Sequence, residues 1–163
     1  MQRYFLEQEG REITGPDVHH ILKVMRMKSE DQVIVCYHST CFLSTLNIDN
    51  GRVFFDIISE LPSKKEASIT LIQGLPKHPK TETVTKYATL FGVTHIRFVP
   101  MKRSVAKVDN EANKLKRMHT IAKEAAELSH RFEIPSIDYF QSLKAIDWKA
   151  YNVILVADEN ERH

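Results

Sequence analysis

Cysteine and glycine are scarce in this sequence, and their scarcity narrows the possible functions. Among 163 residues there are two cysteines and five glycines, and no two glycines lie close together. Two cysteines are too few for a disulfide scaffold, and isolated glycines exclude a glycine-rich phosphate loop or a dinucleotide fingerprint. No apolar run approaches the ~20 residues of a membrane span, and residues 1–7 lack the apolar core of a signal peptide. We therefore expect a cytoplasmic protein with no membrane segment.

Charge is distributed unevenly along the chain. Residues 1–66 carry 8 Lys and Arg against 10 Asp and Glu, whereas residues 77–131 carry 12 against 5. A basic segment suits a partner rich in phosphate, because each lysine or arginine contact releases counterions from a nucleic acid. A solvated basic helix face would give the same count. The charge pattern favours a nucleic-acid partner without requiring one.

The first 66 residues have the pattern of a small β domain. A helical turn opens at Gly15, and three β-rich runs follow at 32–37, 41–48 and 52–61. The Asn-Gly pair at 50–51 is a strong hairpin signal. Closely spaced strands with tight turns predict a small barrel. The polar segment 62–66, which begins with proline, is the predicted linker.

The remaining residues alternate between strand and helix. The predicted elements are strands at 68–72, 95–99, 134–137 and 152–157 and helices at 81–91, 110–131 and 141–148. This alternation predicts a parallel α/β sheet, with Gly92 closing the first of these helices. Ligands of such sheets lie beyond the carboxyl ends of the strands. Because the sequence stops soon after the last predicted strand, we expect the main cofactor segment to be absent.

Several short segments match one known pattern in order and spacing. They are MQRYF at 1–5, HHILKVMRMK at 19–28, LPK at 75–77, FGV at 91–93, PMKRSV at 100–105, IAKEAAE at 121–127, SHR at 129–131 and IP at 134–135. Together they resemble the RsmE family, which methylates N3 of a uridine in small-subunit ribosomal RNA. The chain departs from the family pattern at 90–93, where it has Leu-Phe-Gly-Val and the family usually has an acidic residue before Leu-Gly-Val. It departs again at Leu128, where the family usually has Glu-Gln-Ser.

The resemblance implies a fold and an activity. It implies a PUA-like β-barrel over residues 1–66 and a SPOUT-type parallel α/β domain over residues 67–163 that lacks its C-terminal knot. SPOUT enzymes bind S-adenosylmethionine in that knot and work as homodimers. The implied reaction is uridine-N3 methylation of 16S ribosomal RNA, with this chain an inactive fragment of the enzyme. A non-catalytic RNA-binding module is the alternative.

Three residues are predicted to be catalytic: Arg103, Glu124 and Arg131. Methylating N3 of uridine requires loss of its proton, and a guanidinium that stays charged can stabilise the developing uracil anion. Glu124 could orient either arginine. The structural alternative is that both arginines form ion pairs with Glu124 or Glu127.

The resemblance and the charge pattern also indicate binding residues. Glu159 and Asn160 follow the last predicted strand, so they are the predicted cofactor contacts. The predicted RNA contacts are Arg3, His20, Arg26, Lys77 and Lys102.

Two short clusters could suggest a metal, but we predict none. The adjacent His19 and His20 would point about 100° apart on a helix, so they cannot share a ligand direction. We expect one of them to pack inward and hydrogen-bond the barrel. Cys36 and Cys41 lack the second ligand pair that a structural zinc site needs, so we expect ordinary hairpin cysteines.

Overall fold

The computed structural model describes residues 1–63, 67–77, 79–102 and 111–157, which form two sheets with three α-helices. The strands are β1 (Arg3–Phe5), β2 (Glu12–Ile13), β3 (Gln32–Tyr37), β4 (Thr40–Asp49), β5 (Arg52–Glu60), β6 (Thr70–Gly74), β7 (His95–Val99) and β8 (Ser136–Tyr139). The helices are α1 (Pro16–His19), which continues as a π-helical turn (His20–Val24), α2 (Lys80–Leu90) and α3 (Glu111–Leu128), with short 3-10 turns at Leu143–Ala145 and Trp148–Ala150. No helix in these ranges is long and apolar enough to cross a membrane.

The N-terminal sheet is a curled, mixed sheet with strand order β1-β3-β4-β5-β2. Only the β1–β3 pair is parallel. Between β4 and β5, Asn50 and Gly51 both have positive φ, at 48° and 80°, which is the geometry of the predicted tight hairpin turn. The side chains that fill the inside of the curl are Tyr4, Ile13, Ile21, Val33, Val35, Leu46, Val53 and Phe55.

The second sheet is parallel, with strand order β6-β7-β8. Helices α2 and α3 connect successive strands, and Ile96 and Phe98 of the central strand are fully buried against Ala88 of α2. Gly92 has φ 89° just after α2, so the predicted helix stop is confirmed. The predicted parallel α/β sheet is confirmed for its first three strands.

The predicted strand at 152–157 is wrong. This segment has no regular structure, and its apolar side chains are exposed, Val153 by 74% and Leu155 by 90%. An apolar run forms a central parallel strand only where neighbouring strands pair with it and helices cover both faces. No such cover reaches it within the described part of the chain. The helix predicted at 141–148 is likewise reduced to one 3-10 turn.

The two cysteines lie where the hairpin prediction put them, but the bond between them was missed. Cys36 of β3 and Cys41 of β4 are directly opposite each other, 4.1 Å apart between Cα atoms, and form a disulfide. Both are fully buried. The sequence rule against a disulfide scaffold still holds, because a single bond within one hairpin links no distant parts of the chain.

The barrel and the α/β domain pack against each other through a small apolar cluster. Its members are Phe5, Cys36, Cys41 and Ala126, with Ile34, Leu61, Phe132 and Ile134 partly buried around them. The predicted domain boundary after residue 66 stays a prediction, because residues 64–66 lie outside the described ranges.

Candidate functional site

The carboxyl edge of the parallel sheet carries two exposed lysines. Gly74 and Val99 are register partners at the ends of β6 and β7, and the Leu75 amide donates to the Val99 carbonyl at 2.8 Å. Lys77 and Lys102 each follow three residues after their strand ends, and both are exposed. Because parallel strands end at one edge, this edge gains two ammonium groups where α/β sheets bind ligands.

The backbone at this edge adds to its positive potential. Helix α2 begins at Lys80, whose amide donates to the Lys77 carbonyl at 3.0 Å, so the positive end of its dipole lies beside the lysines. Gly74 closely approaches the neighbouring strand connection, since an added Cβ would lie 3.0 Å from Cγ of Met101. The edge is therefore a closely packed, cationic surface that suits a phosphate-bearing partner.

Three of the predicted site residues lie outside the described ranges. They are Arg103, directly after Lys102, and Glu159 and Asn160 near the end of the chain. Their assignments to catalysis and to cofactor binding stay predictions.

The other two predicted catalytic residues have different surroundings. Glu124 is exposed on α3 and lines a cleft of about 520 Å³ between α2 and α3, together with Lys86 and Leu128. Arg131 is only 8% exposed, and its guanidinium donates to the backbone carbonyls of Thr89 at 3.2 Å and Val93 at 2.5 Å. Arg131 thus holds the end of α2, while Glu124 faces solvent.

Arg3 lies in the interface between the two domains. It is 6% exposed, and its guanidinium donates to the carbonyls of His130, at 2.6 Å, and Arg131. The guanidinium carbon also lies 5.3 Å from the ring centre of Phe132. Burial lowers the pKa of Arg3, although an arginine remains charged in proteins.

The remaining predicted RNA contacts lie on the barrel, in the turn that follows α1. His20 packs inward, with its Nδ1 3.1 Å from the Tyr4 hydroxyl, so the expectation that one histidine hydrogen-bonds the barrel is confirmed. Arg26 is exposed and has φ 53°, just after the exposed Val24 and Met25. Of the three predicted barrel contacts, Arg26 is the most accessible to a partner.

A half-buried charge cluster in the domain interface was not predicted from sequence. Lys123 of α3 lies 2.6 Å from the Asp17 carboxylate of the barrel and 3.8 Å from Glu127. The pKa of Glu127 is raised to about 7, mainly by burial. The positive charge of Lys123 opposes this rise, and the negative charge of Asp17 adds to it. Burial, together with Asp17 and Glu127, raises the pKa of Tyr4 to about 12. The i,i+4 spacing of Lys123 and Glu127 was the available signal.

The described residues offer a poor fit for a metal or for a methyl donor. Within them, no group of three or more His, Cys, Asp or Glu side chains is placed to hold a metal ion. S-adenosylmethionine carries a cationic sulfonium, and the ammonium groups of Lys77 and Lys102 repel a cation. The described part of this edge therefore suits an anionic nucleic acid.

A curled β-sheet joined to a parallel α/β sheet with a cationic carboxyl edge is an arrangement that suits a nucleic-acid partner. Residues 63–163 match the family described as RNA methyltransferase domain, and residues 13–40 match the RNA methyltransferase PUA domain. The chain belongs to the RNA methyltransferase domain family.

Individual relatives agree with this family. Over 155 residues the chain is 37% identical to ribosomal RNA small subunit methyltransferase E of Bacillus subtilis (strain 168), covering 84% of this chain and 59% of that protein. A crystal structure of a protein described only as hypothetical is similar at 33% identity and TM-score 0.74, covering 85% of this chain and 63% of the other. The chain thus spans about three-fifths of the length of these relatives.

A third relative shows the fold alone, because its sequence identity is low. It is the Neisseria gonorrhoeae ribosomal RNA small subunit methyltransferase E bound to S-adenosyl methionine, at 23% identity and TM-score 0.74. It covers 85% of this chain and 62% of its own. The predicted resemblance to RsmE proteins, and the PUA-like and SPOUT-type fold class, are confirmed.

Proposed function

We propose that this chain is the RNA-recognising part of an S-adenosylmethionine-dependent methyltransferase that modifies N3 of a uridine in 16S ribosomal RNA. The single observation that carries the proposal is the placement of Lys77 and Lys102 at one carboxyl edge of the sheet in an RNA methyltransferase domain. S-adenosylmethionine as donor is supported by the Neisseria relative that binds it. A homodimer acting in the cytoplasm is part of the same proposal.

Each exposed cation has a simple role in this proposal. Lys77 and Lys102 contact phosphates that flank the target nucleotide, and Arg26 contacts phosphates of the RNA that lies along the barrel. The target uridine is turned out of its stack so that N3 becomes accessible. Arg103 would stabilise the uracil anion as N3 loses its proton, with Glu124 assisting. Arg131 would contribute indirectly, because its buried guanidinium holds the end of α2. Glu159 and Asn160 would contact the donor.

The activity is tested with this chain extended to the length of its relatives, by transfer of labelled methyl from S-adenosylmethionine to 16S ribosomal RNA that lacks the modification. We expect label in the RNA and, after digestion to nucleosides, a single product that is 3-methyluridine. A label on any other nucleoside would contradict the proposed reaction. Complete absence of transfer, with RNA bound, would leave the second candidate below.

The second candidate is an RNA-binding module without chemistry, and one observation favours it. The described part of the carboxyl edge is cationic and does not suit the sulfonium of the donor. Calorimetric titration with S-adenosylmethionine separates the candidates. Saturable binding supports the enzyme, whereas no heat of binding together with salt-sensitive RNA binding supports the module.

A further inference from the structure

Arg3 connects the barrel, through directional hydrogen bonds, to the segment that follows α3. It lies on β1, and the His130 carbonyl that it binds at 2.6 Å is 127 residues away in sequence. The Arg131 carbonyl accepts a second bond from the same nitrogen, 128 residues away. A buried side chain of the first strand is therefore hydrogen-bonded to the segment just after α3.

The accepting carbonyls lie directly after the C-terminal end of α3. The amides of Ser129 and Arg131 still donate to Ala125 and Ala126 of the helix, and His130 has φ 57°, which turns the chain out of the helix. Carbonyls at a helix C-terminus carry partial negative charge. The guanidinium of Arg3 is thus bound at the negative end of α3.

Arg131 extends this connection to the other helix. Its guanidinium donates to the carbonyls of Thr89 and Val93, on either side of the α2 stop at Gly92. Arg131 therefore accepts from Arg3 through its carbonyl and donates to the α2 end through its side chain. We call Arg3 and Arg131, with the carbonyls that they bind, the arginine link.

The arginine link joins the barrel to both helices of the α/β domain. Those helices cover the sheet whose carboxyl edge carries Lys77 and Lys102. Burying a guanidinium is costly, and a buried Nε of Arg3 has no hydrogen-bond partner, so an apolar side chain would pack here at lower cost. The guanidinium does what an apolar side chain does not, because one nitrogen of Arg3 donates directional hydrogen bonds to two carbonyls of the α/β domain and so favours one orientation of the groups that it joins.

We propose that the arginine link fixes the orientation of the barrel relative to the α/β domain, so that RNA held by the barrel meets the cationic edge. Arg3 is then a positioning residue that does not itself touch RNA. The RNA part of this proposal rests on the proposed function, whereas the orientation part does not.

The orientation is measured by amide residual dipolar couplings of the whole chain without RNA. We expect one alignment tensor to fit the couplings of both sheets in the wild type and in Arg52→Ala. Arg52 is the matched control, because it is an arginine bound to Glu12 within the barrel. In Arg3→Ala we expect the two sheets to require different tensors. A single tensor in Arg3→Ala would overturn the proposal.

The consequence for RNA is measured with a double-mutant cycle on a 16S ribosomal RNA fragment. We expect Lys77→Gln to weaken binding about threefold in the wild-type background and less than about 1.5-fold in the Arg3→Ala background. If Arg3 were an RNA contact, the two losses would multiply and Lys77→Gln would have the same effect in both backgrounds. Equal effects would overturn the positioning role.

A replacement variant and the RNA-free measurement distinguish a failure of this proposal from a failure of the proposed function. If Arg3→Ala does not fold, Arg3→Met replaces it, since methionine fills the buried space but donates no hydrogen bond to the two carbonyls. If no variant or wild-type protein binds RNA, the proposed function fails, and the alignment tensors alone still decide whether the arginine link orients the domains.

Discussion

The barrel and the α/β domain differ in how completely each covers its own apolar residues. In the barrel, large side chains such as Tyr4, Leu46 and Phe55 are at most 2% exposed. In the α/β domain, Phe91 is 80% exposed and Leu155 is 90% exposed. The described α/β domain also takes part of its support from the barrel, through Arg3 and the Asp17–Lys123 ion pair. From this difference we expect the barrel to be the more self-sufficient unit and the α/β domain the more dependent one.

The largest expected effect is in the barrel core. Phe55→Ala removes a ring that is 1% exposed, and we expect it to destabilise the protein by about 3–5 kcal/mol through lost burial and the cavity left behind. Leu155→Ala is the control in the α/β domain, where we expect a change within about 0.5 kcal/mol. Both are measured by urea unfolding. Comparable losses would contradict the contrast between the two regions.

A smaller effect is expected at the ion pair between the regions. Asp17→Asn leaves Lys123 half-buried without its carboxylate partner at 2.6 Å, and we expect a loss of about 1–2 kcal/mol. Glu82→Gln is the control, because its partner Arg117 is 66% exposed and the pair lies within the α/β domain. We expect at most about 0.5 kcal/mol there. Hydrogen exchange should show that Asp17→Asn loosens the α/β domain more than the barrel. Equal increases in amide exchange in the barrel and the α/β domain would contradict the claim that the α/β domain depends on the barrel.

The smallest effect is a pH dependence of the interface. Burial raises the pKa of Glu127 from 4.5 to about 7, so the folded state holds a proton that the unfolded chain releases. The Glu127 contribution to stability is therefore present below about pH 4.5 and is lost as pH rises to about 7. Asp17, Lys123, Glu124, Tyr4 and the Phe5 amide are the groups that face it.

The variant Glu127→Gln isolates this contribution. We expect it to flatten the fall in melting temperature between pH 5 and pH 7. Glu111→Gln, exposed at the start of the same helix and not among the groups that face Glu127, should leave that fall unchanged. An unaltered slope in Glu127→Gln would show that the interface does not titrate there.

Local sequence signals predicted much of the fold. The bounds of β3 and β7 match the predicted runs, and the turn at Asn50 and the stop at Gly92 follow from backbone preferences of single residues. These features depend on interactions between residues a few positions apart, so local sequence patterns are enough to predict them.

Features that depend on distant neighbours were not predictable in the same way. The surroundings of Arg3 and Arg131 depend on contacts 127 and 42 residues away, and no spacing rule reveals them. The raised pKa of Glu127 arises because the barrel covers it. The apolar run at 152–157 satisfied the composition of a buried strand, but composition does not supply the strands and helices that must surround it.

The most direct test of the central claim is the salt dependence of affinity for 16S ribosomal RNA. We expect the double variant Lys77→Gln/Lys102→Gln to reduce the magnitude of the slope of log affinity against log salt by about 1.4–1.8, the value for two lost phosphate contacts. The control Lys86→Gln/Lys116→Gln removes two exposed lysines within helices α2 and α3 rather than at a strand end, and it should leave the slope unchanged. Equal slopes for the wild type and both variants would contradict the assignment of the carboxyl edge as the RNA-binding surface.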